Sequence, residues 1–337
     1  MQLVFGFFPA QLIQVAARLR IADELAGGPR STAELANATD THEASLYRLL
    51  RALVFFDVLA EPAPGHFELT ERGDLLRSDG AGSVRNIVML FCGPEVWRSW
   101  GELEHSVRTD QPAWDHLYGL SAFEYMAKEP EFNAIFNEAM AEATRTAAPG
   151  VVAAGDFSRF DTVVDVGGGN GALVAAILSA HPDLQAVLFD TELGLEDAPR
   201  LLETEGVTDR CRVVAGNFFE DVPDGADAYV LKSVIHDWDD ERSIAILANC
   251  RRAMPVDGTL LIVEPVMPAR IEPSPDVFFM VMSDLNMLAC TGGKERTKDE
   301  FRALLDAAEL ELRKVTPCPG PTNFSVLEAA CAGNGGV

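Results

Sequence analysis

The stretch VLKSVIHDWDDERS, residues 230–243, begins as an apolar run and ends among acids, with His236 at the join. Two readings fit. One is a helix start, in which Asp237 or Asp239 caps the first turn, the acids complement the helix dipole and the imidazole is incidental. The other is general-base chemistry, since a neutral imidazole with an ordinary pKa of about 6.5 can take the proton of a bound hydroxyl. Of the six histidines, only His236 falls at the end of an expected strand with carboxylates on neighbouring segments; His42, His66, His105, His116 and His181 read as surface or helix residues. Glu264, in GTLLIVEPV, falls at the end of a second such strand. Asp239, Asp240 and Glu241 are ordinary in a first helical turn and need no metal. The six cysteines (92, 211, 250, 290, 318, 331) contain no C-x-x-C pair, so they read as reduced packing residues and no metal is expected.

The other chemistry-bearing stretch is VVDVGGGNGALV, a strand, a glycine-rich turn and a helix start. Gly167, Gly169 and Ala172 satisfy G-x-G-x-x-G/A, and Asp190 follows the next strand, where it can take ribose hydroxyls. That pattern is compatible with NAD, FAD or S-adenosylmethionine (SAM). Charge favours SAM. Asp165 lies just before the glycines and no Lys or Arg occurs from Asp161 to Pro199, so a pyrophosphate meets a carboxylate and no nearby cation. SAM carries an ammonium and a sulfonium, which an acidic rim attracts. A helix N-terminus can hold phosphate without side-chain cations, so the dinucleotides stay open at this point.

Strands alternating with helices from Asp161 onward supply the scaffold: TVVDV, QAVLFD, RCRVVAGNFF, DAYVLKSVI and GTLLIVEPV. This alternation predicts an α/β fold with a parallel sheet and helices on both faces, ligands binding beyond the carboxyl ends of the strands. Residues 1–150 read as mostly helical. PAQLIQVAARLRIADELA is one helix ending at Gly27, Ser31 and Glu34 open a second with capping-box spacing, and HEASLYRLLRALVFFDVL is a third. Two strand-like runs in LAEPAPGHFELT then complete a winged-helix pattern.

DVGGGNGAL, VLKSVIHDWDDE, LLIVEPVMP and GGKERTKDEF stand in the order and spacing of the SAM-dependent small-molecule O-methyltransferases, and nearly the whole chain resembles that family. It includes plant caffeate and flavonoid enzymes, hydroxyindole enzymes and bacterial relatives that tailor aromatic polyketides. The resemblance implies a Rossmann-like class I methyltransferase domain over 151–337, linking helices over 101–150 that contribute to the acceptor pocket, and a winged-helix-like dimerisation domain over 1–100. It implies SAM as cofactor and S-adenosylhomocysteine as product. Gly167 and the glycines after it, Gly169 among them, belong to the methionine side and Asp190 to the ribose, with the acid Asp165 before them also a cofactor-binding candidate. Asn217 and Phe218 flank the adenine, with Lys232 nearby. The family commonly has Asp where this chain has Asn217, whose carbonyl oxygen can still accept the adenine amino proton. The base falls on His236 with Glu264 and Glu295 as carboxylate partners, and the acceptor wall on Phe136, Met140, Met280, Asp284 and Met287.

Composition constrains partners. Over 337 residues, 27 basic and 52 acidic side chains give a formal charge of −25, a field that repels nucleic acid and anionic membranes. The third helix offers only Arg48 and Arg51 among acids, too few cations for a DNA-reading helix. Leu3, Val4, Phe5, Phe7 and Phe8 form an apolar start suited to burial against a second subunit. No apolar run reaches the length of a bilayer span, and the start lacks a signal peptide's basic region, so a cytoplasmic homodimer acting on a small aromatic acceptor is expected. The rival readings are another SAM-assisted reaction, decarboxylation or hydroxylation of a polycyclic aromatic, and, from a different class, a ligand-sensing winged-helix regulator.

Overall fold

The computed structural model describes residues 2–80 and 82–332. The chain divides into two compact units, one of residues 1–98 and 129–143, the other of residues 99–128 and 144–337.

In the first unit the helix expected over residues 9–26 is broken into Phe7–Arg18 and Ile21–Glu24, because Arg20 takes a left-handed φ of 56°. Ser31 and Glu34 close a capping box over the helix Thr32–Ala38, as their spacing predicts. The third helix, Glu43–Phe55, buries Leu46, Leu50 and Leu53 on one face. His42 accepts the Ser45 N–H as its cap, a role more specific than the surface position expected of it. Strand β1 (Arg30–Ser31) pairs with β3 (His66–Leu69), which pairs in turn with β2 (Leu59–Ala63) to give a small antiparallel sheet. The apolar start is exposed at Val4, Phe5, Phe7 and Phe8, with the rings of Phe7 and Phe8 packed edge-on. The Leu3 side chain, expected to belong to the same surface, lies outside the described residues.

The second unit is built on one sheet in the order β10-β11-β8-β7-β4-β5-β6, where β4 is Thr162–Val166, β5 Gln185–Asp190, β6 Cys211–Ala215, β7 Ala228–Lys232, β8 Thr259–Met267, β10 Leu310–Pro317 and β11 Phe324–Cys331. A short β9, Arg296–Thr297, pairs in parallel with the end of β8. Strands β4 to β8 run parallel, while β11 and β10 close one edge antiparallel. Alternate residues of each strand face opposite sides. Val163, Leu188, Val230 and Val263 pack under the helix Ala172–Ala180, whereas Val164, Phe189, Leu231 and Ile262 pack under the helices Asp240–Ala253 and Lys298–Ala307. The parallel sheet covered on both faces is therefore as expected, and the antiparallel edge is additional.

Two details matter for the site. Strand β7 stops at Lys232, Ser233 turns left-handed at φ 53°, and His236 lies on the short 3-10 turn Ile235–Asp237 rather than on the strand end itself. Glu264 does not end its strand either. It sits inside β8, fully buried, just past the last residue that β7 pairs.

Candidate active site

The glycine loop leaves β4 with Gly167 at φ +71°, Gly169 at +56° and Gly171 at +85°. A Cβ on Gly167 would stand 2.8 Å from the Val234 side chain, and one on Gly168 would stand 2.7 Å from the Asp165 carboxyl, so the turn is open only to glycine. Asp190, at the end of β5, accepts the Gly169 N–H at 2.8 Å and the Thr191 N–H, fixing the loop against the next strand. Asp165 is buried and its Oδ2 accepts no hydrogen bond. Burial pushes its carboxyl up to about 7, against the opposing pull of Lys232. Lys232 lies over the Phe324 ring at 4.9 Å, and burial holds its ammonium below the usual range despite Glu264 and Asp165.

On the other side of Val234 the polypeptide turns around a single carboxylate oxygen. Glu264 Oε1 accepts the N–H groups of Val234, Ile235 and His236 at 3.0, 3.1 and 3.4 Å. Glu264 thus fixes the backbone that carries the histidine, and its Oε2 stands 3.6 Å from His236 Nδ1. The ring itself is held by Glu295, whose Oε1 lies 2.9 Å from Nδ1. That bond makes Nδ1 the donor and leaves Nε2 as the position able to take a proton, with Asp237 Oδ1 3.9 Å from it. Burial lowers the imidazole's affinity for a proton, but Glu264, Asp237 and the Glu295 bond outweigh it and raise the pKa of His236 to about 10. Burial likewise raises Glu264, and it brings Asp237 up to about 6. The imidazole expected from sequence therefore stands among three carboxylates, Glu264, Glu295 and Asp237, which favour its protonated form more than an ordinary site would.

Two further residues complete the arrangement. Ser283 Oγ donates to Glu295 Oε1 at 2.6 Å, and Asp284 Oδ1 accepts the Glu295 N–H at 3.0 Å. Both stand on the helix Pro275–Cys290, where Met280, Ser283, Asp284 and Met287 share one stripe by their spacing. Three of these four are candidates by sequence. Ser283 is detectable from its place between Met280 and Met287 at helical spacing, but its partner is not visible in sequence. Asp284, expected at the acceptor wall, spends one oxygen on the backbone of Glu295. Asn217 is exposed, with its oxygen accepting the Phe219 N–H at 3.0 Å and its amide donating to Glu220 at 3.1 Å, while Phe218 is half-buried near Gly167. Phe136 and Met140 are half-buried on the helix Pro130–Gly155, within the first unit. His236, Glu264 and Glu295 bring potential donor atoms within 4.8 Å of one another, as close as a metal site would require. The direct His236–Glu295 hydrogen bond already accounts for that closeness without an ion.

Comparison with known proteins gives this geometry a family. Residues 100–310 match the model of the O-methyltransferase domain and residues 1–79 that of the O-methyltransferase dimerisation domain. The chain belongs to the O-methyltransferase family. Its relatives include the phenazine O-methyltransferase of Lysobacter antibioticus, 43% identical over 98% of this chain and 94% of that one. The O-demethylpuromycin-O-methyltransferase of Streptomyces alboniger is 40% identical over 97% and 87%. A solved O-methyltransferase from neocarzinostatin biosynthesis, in complex with SAM and 2-hydroxy-5-methyl naphthoic acid, superposes with a TM-score of 0.81 at 36% identity over 96% of both chains.

In this O-methyltransferase the glycine loop fits a cationic cofactor. The cradle cannot admit a Cβ at Gly167 or Gly168, a buried carboxylate oxygen of Asp165 is without a partner, and Asp190 adds a second acid at the rim. Lys232 lies close enough to act on Asp165, which corrects the expectation of no nearby cation, but two acids face this single lysine, and the ammonium and sulfonium of SAM relieve them where a phosphate would not.

Proposed function

We propose that the chain transfers a methyl group from SAM to a phenolic hydroxyl of a small aromatic natural product, with His236 holding the hydroxyl proton. The observation that carries this reading is the 2.9 Å bond from His236 Nδ1 to Glu295, beside buried Glu264, on the turn just beyond the carboxyl end of β7. SAM supplies the methyl electrophile when bound. Asp165 and the loop from Gly167 to Gly169 hold its methionine side, Asp190 its ribose, and Asn217 and Phe218 its adenine, with Lys232 beneath. Glu295 orients the ring, Glu264 fixes the turn that bears it, and Nε2 takes the acceptor's proton. Proton transfer from a phenol of pKa about 10 to an ordinary imidazole is uphill by more than three units. Surrounding carboxylates remove most of that gap. A phenolate bound against the imidazolium carries the same protons as a phenol bound against the imidazole, so the resting charge of His236 is compatible with the role.

Phe136, Met140, Met280, Asp284 and Met287 wall the acceptor, methionine adapting to flat rings. The named acceptors of the relatives, a phenazine and a naphthoic acid among them, support an aromatic ring system. Residues 1–100 form the dimerisation domain, residues 101–150 link it, and residues 151–337 bind SAM; family matches over residues 1–79 and 100–310 support the boundary near residue 100. The three helical stretches followed by a small antiparallel sheet support a winged-helix reading of the first part. Its partner is a second copy rather than nucleic acid or membrane, as the charge of −25 supports. Among the described residues no helix is long and apolar enough to cross a membrane, which is consistent with the cytoplasmic location proposed here.

The test is a screen of phenolic acceptors with labelled SAM, reading product mass, run beside His236→Ala. Methylated phenols are expected from the wild type, with or without a metal chelator, and a loss of about 10²–10⁴ in the variant for an unactivated phenol. An acidic phenol, which arrives ionised, is expected to lose much less. Equal losses for both acceptors in a variant that still binds SAM would remove His236 from the role of base.

A further inference from the structure

We infer that Arg296 is a positioning residue for the base, clamping the carbonyl side of the His236 turn while Glu264 clamps its amide side; the inference rests on the reading of His236 as base. Arg296 is completely buried. Its Nη1 donates to the Ile235 carbonyl at 2.9 Å and the Lys294 carbonyl at 3.4 Å. Nη2 donates to the Trp238 carbonyl at 2.8 Å, to Ser243 Oγ at 3.2 Å and to Asp240 Oδ1 at 2.9 Å, and Nε donates to the same Asp240 oxygen at 3.1 Å. Ile235 and Trp238 flank His236–Asp237 in the chain, so one planar guanidinium fixes the separation of the two ends of the turn. Its carboxylate partner among the described residues, Asp240, is 53% exposed.

Burying a guanidinium is costly, and an apolar replacement of a buried ion pair is often neutral or stabilising, so stability alone is a weak reason for this residue. A fork that satisfies several backbone carbonyls at set angles is something lysine cannot reproduce. The placement is also economical. Arg296 begins β9, held in register on Val266 of β8, and the residue before it is Glu295, which bonds the ring. Consecutive residues thus hold the imidazole and the backbone beneath it. Gly293 completes the approach, since a Cβ there would lie 1.9 Å from the His236 carbonyl oxygen.

The experiment compares Arg296→Lys, Arg296→Ala and Asp240→Asn with wild type and His236→Ala in the full chain. It reads SAM affinity by calorimetry and methylation of an ordinary and an acidic phenol. Arg296→Lys is expected to keep SAM affinity within about twofold while lowering kcat on the ordinary phenol by about ten- to a hundredfold, the scale of a small misplacement of a catalytic group. The acidic phenol should lose less, and added guanidinium should restore part of the activity of Arg296→Ala but none of His236→Ala. Asp240→Asn, which keeps the guanidinium and its carbonyl partners, should shift acceptor preference in the same direction by a smaller factor, and it serves if Arg296→Ala does not fold. Equal losses on both phenols, or losses that track SAM affinity, would overturn the inference and leave Arg296 a purely structural residue. If His236→Ala itself shows no dependence on acceptor acidity, the base reading fails instead; normal His236→Ala behaviour beside acidity-independent Arg296 variants overturns the clamp alone.

Discussion

Charge decides what His236 can do. Its position in a join between an apolar run and a crowd of acids is readable from sequence, and so is the choice of this histidine over the other five. Its carboxylate neighbours are less so: Glu295, 59 residues away, is named only through the family resemblance, and Asp237, read as a candidate helix cap, stands 3.9 Å from Nε2. Helix capping falls to Asp239, which accepts the Arg242 N–H. The raised pKa of His236, about 10, has a kinetic consequence. Free enzyme and ordinary phenol together hold one proton more than the reactive pair, so kcat/KM should climb with pH by about tenfold per unit from neutrality toward that value. An acidic phenol already ionised should give a flat profile over the same range. Glu295→Gln removes one source of the upward shift and should move the climb to lower pH, as ring NMR titration would confirm. Stability follows the same sign. A raised folded pKa stabilises fully below the unfolded value of about 6.5 and loses that contribution as pH rises through the folded value. The variant's stability deficit should therefore shrink between those limits. A climb that is identical in both proteins would mean that Glu295 does not set the charge of the ring.

Elements dominated by buried apolar residues, such as TVVDV and QAVLFD, fold where their pattern places them, since burial on both faces leaves a strand no other use. The edge strand β10, LELRKVTP, breaks its alternation at the adjacent Arg313 and Lys314 and lacks the apolar run by which the parallel strands are recognised, which is why this edge is not expected from sequence. Glu264 misleads for a related reason. A carboxylate inside a strand is read as the strand's end, yet β8 continues three residues beyond it because Glu264 has amide partners on the neighbouring turn. The motif GGKER is legible as a motif but not as a mechanical part. Gly292 is left-handed at φ +80°, and the backbone of Gly293 presses on that of His236 and Asp237. Gly293→Ala should therefore force the segment away from the turn. We expect a loss of about 1–3 kcal/mol in folding stability, the usual cost of overpacking, measured by denaturant titration. Methylation of ordinary phenols should fall more steeply than SAM affinity. Unchanged stability and rate would show that the two segments are not in the tight contact described.

For the whole molecule, net charge and exposed apolar surface point to the same kind of partner. A field of −25 disfavours polyanions, and the first unit leaves Val4, Phe5, Phe7 and Phe8 in water, with Phe7 48% and Phe8 53% exposed. A lone chain seldom leaves such a cluster uncovered, and residues 1–79 match a dimerisation domain, so a second copy is the occupant expected. The residues proposed to bind SAM lie in the second unit. Assembly and cofactor binding should consequently be separable. Phe7→Asp with Phe8→Asp places two charges where an apolar interface is expected, a change that like-charge repulsion and desolvation make costly. Light scattering should find dimer for the wild type and monomer for the double variant, while calorimetry finds SAM affinity within about twofold of the original. Methylation in the same samples locates any dependence on assembly: a fall with intact SAM binding would place it at the acceptor side. Gel shifts against random DNA at low salt should be negative for both proteins. A well-behaved wild-type monomer, or a double variant that remains dimeric, would show that the aromatic start is not the interface.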